Sequence, residues 1–362
     1  MCSLNFEKIS LLIIAGGKSS RLGTDKRFVE IGGISLLENI LKKSARQNFS
    51  EILLCVECNS LHINRIAEKY NAKIIVDEIQ NSGALSGIAN GLKHAKNDWS
   101  LAISCDIPFL EFDILKSFTL SEASAVIPIT GEKKQLLCAF YHKSASEIFF
   151  DELKHNQRKI LTAVEKISHQ FVEISNCESY FFNVNTPADL RLAQGRFENL
   201  SRQIPMISIT APCSGTGKTT FIEKVTKKLT AEGFKIGVIK SDSHGFNVDI
   251  EGKDSKIFQN AGAKSVAVVA PTGFFLIQKT DERESFLKIA EKFDDVDLIL
   301  TESRTHGIFP VLSLWRGFGE VIQNENVAAI FSITPEKSSD IFQADLNDIE
   351  TATGLILFLA GF

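Results

Sequence analysis

The chain has 362 residues, a formal net charge of −4 at pH 7, and 44% hydrophobic against 23% charged residues. That length favours two domains over one, and the composition is that of an ordinary globular protein. No apolar run reaches about 18 residues and no stretch concentrates Lys and Arg, which argues against a membrane span and against a nucleic-acid surface.

The start, MCSLNFEKIS, lacks the basic-then-apolar pattern of a secretory leader, so the cytoplasm is the expected compartment. The seven cysteines (Cys2, Cys55, Cys58, Cys105, Cys138, Cys177, Cys213) are odd in number and widely spaced, unlike a disulfide framework. Cys55 and Cys58 form a CxxC, but no second pair and no His cluster lies nearby. They read as thiols at a strand end.

In chain order, the first half predicts strands at 8–14, 51–57, 72–78 and 100–106, separated by helices at 36–47, 61–70 and 84–95. Leu36, Leu37, Ile40 and Leu41 supply the helical spacing of the first. Alternating strands and helices predict a mostly parallel sheet covered on both faces. The rhythm then changes: strands at 123–129, 135–141 and 171–175, and helices near 144–154, 160–166 and 188–197. The polar segment NLSRQIP at 199–205 predicts the boundary, giving domains 1–198 and 205–362. The second half predicts strands at 206–210, 234–240, 265–270, 296–302 and 326–333. Helices are expected at 218–231 and 255–262, with a further one in the tail from 346. The fold class expected is therefore α/β twice over: a Rossmann-like domain followed by a P-loop-type domain.

The sharper motif is APCSGTGKTT at 211–220. It follows the pattern Gly-x-x-x-x-Gly-Lys-Ser/Thr except that Pro212 holds the place of the first glycine. Ser214, Gly215, Thr216, Gly217, Lys218, Thr219 and Thr220 lie between an apolar strand and an amphipathic helix. Backbone N–H groups in such a loop point at phosphate oxygens, Lys218 reaches the β and γ phosphates, and the Thr219 hydroxyl serves Mg²⁺. Glu302 leads the candidates for a supporting carboxylate, Asp242 is second, and Asp249 and Asp254 lie in HGFNVDIEGKDS. No NKxD segment identifies a base.

The first loop, AGGKSSRLGTDK at 15–26, matches neither a P-loop nor Gly-x-Gly-x-x-Gly, yet its ingredients suit phosphate. Gly16 and Gly17 allow close backbone approach, and Lys18, Arg21 and Lys26 can neutralise a triphosphate. In SCDIPF at 104–109, Asp106 ends an apolar strand at the carboxyl edge of the sheet, where open α/β sites form. A carboxylate opposite a cationic loop suits Mg²⁺–triphosphate. Asp77 and the helix start SGALSG, with Gly87, share that edge. The chemistry expected is attack by an oxyanion on the α-phosphorus with pyrophosphate leaving, catalysed mainly by positioning and neutralisation.

IIAGGKSSRLGTDK, Asp77, SGALSGIANGL, SCDIPF and FFNVNTPADL together resemble the molybdenum cofactor guanylyltransferase family over residues 1–195. APCSGTGKTT, the IK strand end at 239–240 and HGFNVDIEGKDS followed by NAGA resemble the molybdopterin-guanine dinucleotide biosynthesis adapter family. The whole chain is similar to fusions of the two. Leu22 stands where the first family has Met, Ala84 where it has Pro, and TESRTHG where the adapters have a Val-Glu-Gly pattern.

The resemblance implies that GTP and molybdopterin-bound molybdenum are substrates and that Mg²⁺ is the cofactor. It implies a phosphate cradle at Ala15, Gly16, Gly17 and Lys18, triphosphate binding by Lys26 with Arg21, and nucleotide recognition by Asp77. The metal falls on Asp106, with Asn183 or Asn185 supporting the metal or the pterin phosphate. It further implies GTP binding by the adapter half, adapter dimerisation, and molybdenum insertion proteins and molybdoenzyme chaperones as partners. Three alternatives stand beside it: a transferase acting on a sugar or isoprenoid phosphate, a non-catalytic GTP-binding regulator, and a P-loop kinase or ATPase with an accessory domain.

Overall fold

The computed structural model describes residues 4–16, 22–120, 122–242, 257–258, 260–303, 308–336 and 339–362. The chain divides into two compact units, Met1–Gln194 and Gly195–Phe362.

The first unit holds strands β1 (Ile9–Ile14), β2 (Glu30–Ile31), β3 (Ile34–Ser35), β4 (Glu51–Val56), β5 (Lys73–Val76), β6 (Trp99–Ser104), β7 (Ala125–Thr130), β8 (Lys133–Lys134), β9 (Cys138–His142) and β10 (His169–Glu173). Its helices are α1 (Leu36–Ser44), α2 (Leu61–Lys69), α3 (Ala84–His94), α4 (Ala145–Lys154) and α5 (Ile160–Val164), and α6 (Pro187–Leu200) contains the division between units. The main sheet runs β10-β7-β9-β6-β1-β4-β5, with β8 paired to β7. β6, β1, β4 and β5 are mutually parallel, while β9 runs against β6 and β7, and β8 against β7.

All six residues of β1 are buried. Leu11 and Ile13 pack into one core and Leu12 and Ile14 into another. Burial on both faces explains why ISLLII is an unbroken apolar run rather than an alternating one. Helix α1 starts at Ser35, whose hydroxyl accepts the Glu38 N–H at 3.2 Å, and buries Leu36, Leu37, Ile40 and Leu41 as its spacing predicts. Because β1 has β4 and β5 on one side and β6 on the other, the chain reverses its direction of travel across the sheet between β1 and β6. In open α/β sheets that is where ligands bind, outside the carboxyl ends of the strands.

In the second unit, β11 (Met206–Thr210), β12 (Ile236–Lys240), β15 (Leu298–Glu302), β16 (Val311–Trp315), β17 (Val327–Ser332) and β18 (Phe342–Asp345) form a parallel sheet in the order β12-β15-β11-β16-β17-β18. Helix α7 (Lys218–Ala231) follows the P-loop, and α8 (Phe286–Ala290) and α9 (Ile349–Ala360) come later. Arg196, 2% exposed, donates to the carbonyls of Phe358, Gly361 and Phe362, and Asn199 to that of Leu359. Residues 195–199 thus satisfy orphan carbonyls at the end of α9.

Two strand expectations need adjusting. The run at 265–270 is β13 (Ser265–Ala270), which pairs with β14 (Gly273–Gln278) in a separate antiparallel hairpin instead of joining the main sheet. Strands β14, β16 and β18 were not expected from the sequence. Of the expected helix at 255–262, residues 255, 256 and 259 lie outside the described residues, and 257, 258 and 260 are helical.

Helix α3 approaches the sheet closely through glycines. A Cβ on Gly91 would lie 2.8 Å from Leu12 Cδ1 and 3.0 Å from Cys55 Sγ, and one on Gly87 would lie 3.2 Å from Ile14 Cγ2. Leu12 and Cys55 are fully buried and have little room to yield. Gly91→Val should therefore lose about 1–3 kcal/mol of stability despite removing a helical glycine, read as a lowered denaturant midpoint at unchanged slope.

Candidate functional site

The carboxyl ends of β1, β4, β5 and β6 carry Ala15–Gly16, Glu57, Asp77 and Asp106 in turn. The Ala15 N–H bonds to Cys55 O and the Asp77 N–H to Val56 O, both at 2.9 Å, so pairing continues just past each strand and fixes these residues on one edge. A Cβ on Gly16 would lie 3.8 Å from Asp77 Oδ2 and 3.7 Å from the Glu57 nitrogen, so the bare glycine keeps the loop close to that carboxylate. Gly17, Lys18 and Arg21 lie outside the described residues, as do Asp249 and Asp254 of the second unit.

The chain returns at Gly23, with φ of 69°, to a short 3-10 turn, Lys26–Phe28, capped by Asp25. Asp25 accepts from the Arg27 N–H at 3.1 Å and pairs with its guanidinium, which donates through Nη1 to Ala15 O at 3.3 Å. Arg27, not singled out from the sequence, thereby ties the end of the loop to its beginning. Its neighbour Lys26 reaches across to β6: Nζ donates to Asp106 Oδ2, and to Asn185 Oδ1 at 3.2 Å.

Asp106 is 4% exposed, and among the described residues its Oδ1 has no hydrogen-bond partner. Its backbone carbonyl accepts the Val184 N–H at 2.9 Å, which fastens the FNVNTP segment beside it. That segment is shaped by the start of α6. Asp189 accepts the N–H groups of Asn185 and Thr186 at 3.0 and 2.9 Å, while its own N–H donates to the Thr186 hydroxyl at 3.1 Å. This is a reciprocal cap with Pro at the first helical position. Asn183 turns to its own segment, donating to Phe181 O at 2.8 Å. Lys26, Asp106 and Asn185 therefore meet in one cluster, and Asn183 supports the loop.

An orphaned, buried carboxylate oxygen is a suitable cation ligand. Mg²⁺ commonly takes one or two carboxylates and fills its shell with water and substrate phosphates. Among the described residues no group of three or more His, Cys, Asp or Glu forms an all-protein cage. Asp106, just past the carboxyl end of β6 and paired with Lys26, fits that kind of open site.

Asp77 is 8% exposed, and its Oδ1 also lacks a partner among the described residues. Burial lifts its carboxyl from the ordinary range to about 7, against a weaker opposing pull from Ser86, and the Glu57 carboxylate adds to the rise. Gly87 faces the other way, onto Ile14 and Cys55, and sets how closely α3 packs. Among the described cysteines all are free thiols; Cys55 is buried and Cys58 exposed.

In the second unit Gly215 and Gly217 adopt φ of 76° and 99°, curling the loop ahead of α7. Lys218 Nζ donates to Cys213 O at 3.3 Å, and the Thr216 hydroxyl to the same carbonyl at 2.8 Å. The Thr219 hydroxyl lies 3.1 Å from both oxygens of Glu302 at the end of β15. Threonine and carboxylate are thus paired where a Mg²⁺–phosphate site needs them. Ser214 and Thr220 are exposed beside them. Asp242 is exposed one residue past Ser241, whose N–H bonds to Glu302 O at 2.9 Å.

A lysine–carboxylate pair at the switch point of one mostly parallel sheet, and a P-loop on a second, parallel one, define a nucleotidyltransferase-like unit followed by a P-loop-like unit. The family model for the MobA-like NTP transferase domain matches residues 11–169, and that for Molybdopterin guanine dinucleotide synthesis protein B matches residues 206–333. The probable molybdenum cofactor guanylyltransferase of Clostridium perfringens (strain 13 / Type A) is 32% identical over 197 residues, covering 49% of this chain and 92% of that protein. The molybdenum cofactor guanylyltransferase of Vibrio cholerae is 30% identical over 188 residues, covering 50% and 89%. A solved structure titled molybdopterin-guanine dinucleotide biosynthesis protein A, from Archaeoglobus fulgidus, is 23% identical, covers 51% of this chain and 97% of its own, and has a TM-score of 0.45.

The chain belongs to the molybdenum cofactor guanylyltransferase family and is a nucleotidyltransferase, with a second domain of the molybdopterin guanine dinucleotide synthesis protein B type. Among the described residues no helix is long and apolar enough to cross a membrane.

The raised pKa of Asp77 has a signed consequence. Its folded form holds a proton more tightly than the unfolded chain, so ionising it costs stability. That cost is absent below about pH 4 and complete above about pH 7. Asp77→Asn should raise the stability of the ligand-free protein by about 1–3 kcal/mol at pH 8, with the gain shrinking as pH falls through 7 to 4, as read by denaturant unfolding across pH.

Proposed function

We propose that the first domain transfers GMP from GTP to molybdenum-bound molybdopterin, giving the molybdopterin guanine dinucleotide cofactor and pyrophosphate, while the second domain binds GTP and assists. The observation that carries this is the Lys26–Asp106–Asn185 cluster, with the free Asp106 oxygen buried at the sheet edge.

In this reaction a phosphate oxygen of the pterin attacks the α-phosphorus of GTP. A new P–O bond forms, the bond to the bridging α–β oxygen breaks, and that oxygen leaves with pyrophosphate. The backbone at Ala15, Gly16 and Gly17, with Lys18 and Arg21, cradles the phosphates. Lys26 neutralises charge building on the leaving group. Mg²⁺ held by Asp106 would supply further charge neutralisation across the phosphates. Asn185, oriented by Asp189 through its N–H, and Asn183 serve the pterin phosphate or the metal.

Asp77 recognises the base. The guanine edge presents two adjacent N–H donors, which an ionised carboxylate accepts in bidentate fashion, whereas adenine offers a donor beside an acceptor. An orphaned, buried Asp77 oxygen supports that role, because the partner it lacks is what guanine would supply.

In the second domain Ser214–Thr220 hold the GTP phosphates, Glu302 supports the metal through Thr219, and Asp242 is available beside it. The exposed apolar hairpin, with Val269 80% and Phe274 74% exposed, would be the surface for self-association of this domain. The enzyme would work in the cytoplasm, downstream of molybdenum insertion proteins and upstream of molybdoenzyme chaperones.

The test is pyrophosphate release from Mg²⁺–GTP with and without molybdopterin-bound molybdenum. Wild type should release pyrophosphate only with the pterin. Asp106→Ala and Lys26→Ala should each lower the rate by about 10²-fold or more while remaining folded. Phosphate instead of pyrophosphate, unaffected by either substitution, would move the chemistry to the P-loop and refute the assignment.

A further inference from the structure

The second domain lacks an NKxD segment, so nothing in the P-loop motif accounts for how a nucleobase is held. The structure offers a different device. Strand β16 neighbours the P-loop strand β11, on the side opposite β15 and Glu302. The turn that follows, Trp315–Arg316–Gly317–Phe318–Gly319, therefore leaves the sheet edge alongside the loop.

It touches the P-loop twice. A Cβ on Gly217 would lie 3.1 Å from Arg316 Nη2 and 3.5 Å from Cζ, which puts the guanidinium beside the residue preceding Lys218. A Cβ on Gly319 would lie 3.1 Å from Cys213 Sγ and 3.2 Å from Pro212 Cβ. Between these contacts Phe318 is 77% exposed.

The turn is held in shape. The Trp315 indole N–H donates to Gly319 O at 3.0 Å, and Gly317 and Gly319 take φ of 84° and 71°, values a larger side chain adopts only with strain. Arg316 is exposed and makes no hydrogen bond or ion pair with the described residues. Single exposed apolar residues are common and mean little alone. An exposed ring on a braced turn, between two P-loop contacts and next to an unpaired guanidinium, is a more specific arrangement.

We infer that this turn is the nucleobase side of the second domain's nucleotide site, where Phe318 stacks on the base and Arg316 meets the phosphates alongside Lys218. The inference rests on the reading that this domain binds a nucleoside triphosphate, and adds how it does so. Stacking is tolerant because every base has a π-face, whereas hydrogen-bond readout discriminates. The second domain therefore accepts GTP and ATP with comparable affinity, and selection for guanine belongs to the first.

Trp99 and Trp315 are the chain's two tryptophans. In the full chain carrying Trp99→Phe, the emission of Trp315 reports on this turn alone. Titration with tripolyphosphate, GTP and ATP in Mg²⁺ should show all three binding, with GTP and ATP within about tenfold of each other. Phe318→Ala should weaken both nucleotides about tenfold and leave tripolyphosphate unchanged. Arg316→Ala should weaken all three several-fold, with partial recovery in Arg316→Lys.

Unchanged nucleotide affinity in Phe318→Ala, unchanged affinity for all three in Arg316→Ala, or preference for GTP over ATP beyond about 100-fold, would overturn the inference while nucleotide binding itself stands. If no triphosphate binds, or binding survives Lys218→Ala undiminished, the broader reading of this domain fails and the inference falls with it.

Discussion

The Lys26–Asp106 ion pair is the interaction around which the first domain's site is arranged. Asp106 is nearly inaccessible to solvent, and a buried carboxylate without a counter-charge is expensive. β6 delivers the carboxylate, the turn capped by Asp25 delivers the ammonium, and Asn185 holds the ammonium from a third direction. Remove any one of these segments and the other two lose a partner. The same pair leaves one carboxylate oxygen without a partner among the described residues, so it steadies the site while keeping an oxygen for a cation.

The second domain meets the same requirement differently. Its lysine lies in the first turn of the helix rather than beyond a long loop, and it closes onto a loop carbonyl, Cys213 O. Its carboxylate, Glu302, is engaged by a hydroxyl instead of a cation. Both solutions use neighbouring parallel strands, which bring their carboxyl ends to one edge. Both also use positive-φ glycines to turn the loop back toward that edge. A loop that must expose N–H groups to an anion cannot carry bulky side chains there, which is why glycine-rich composition and phosphate chemistry coincide.

Much of this was legible in the sequence where burial on both faces leaves a mark. β1, β4, β6, β11, β15 and β17 are short, nearly continuous apolar runs, and each was expected close to its observed limits. The reversal of β9 was not legible, because strand direction leaves no trace in composition. SVAVVA reads as a core strand, yet β13 pairs only with β14 and is largely exposed, since apolarity does not say which surface covers it. β16, VLSLW, is only five residues long between a proline and an Arg-Gly turn, too brief to assert a period.

At the sites, residue types were readable and partnerships were not. Lys26 is 80 residues from Asp106 and 159 from Asn185, separations that no local pattern can bridge. Arg27 was hidden beside a more conspicuous lysine. Asp189 was visible only as part of a helix start, although a threonine followed three residues later by a carboxylate is a capping signal.

The two unsatisfied carboxylates of the first domain divide a cost between them in a way that suits their roles. Asp106 pairs with Lys26 through one oxygen, while its other oxygen faces no donor among the described residues. Burial, with the Glu57 carboxylate adding to it, pushes Asp77 towards the neutral form, to about 7. A neutral acid places a hydroxyl where an ionised one places a second acceptor, and only the ionised form complements two neighbouring donors. Guanine would restore the charge by supplying the hydrogen bonds that burial removed. On the proposed reading, ligand and proton would compete for the same oxygen, and the cost of ionising Asp77 would become selectivity for the base that supplies both donors.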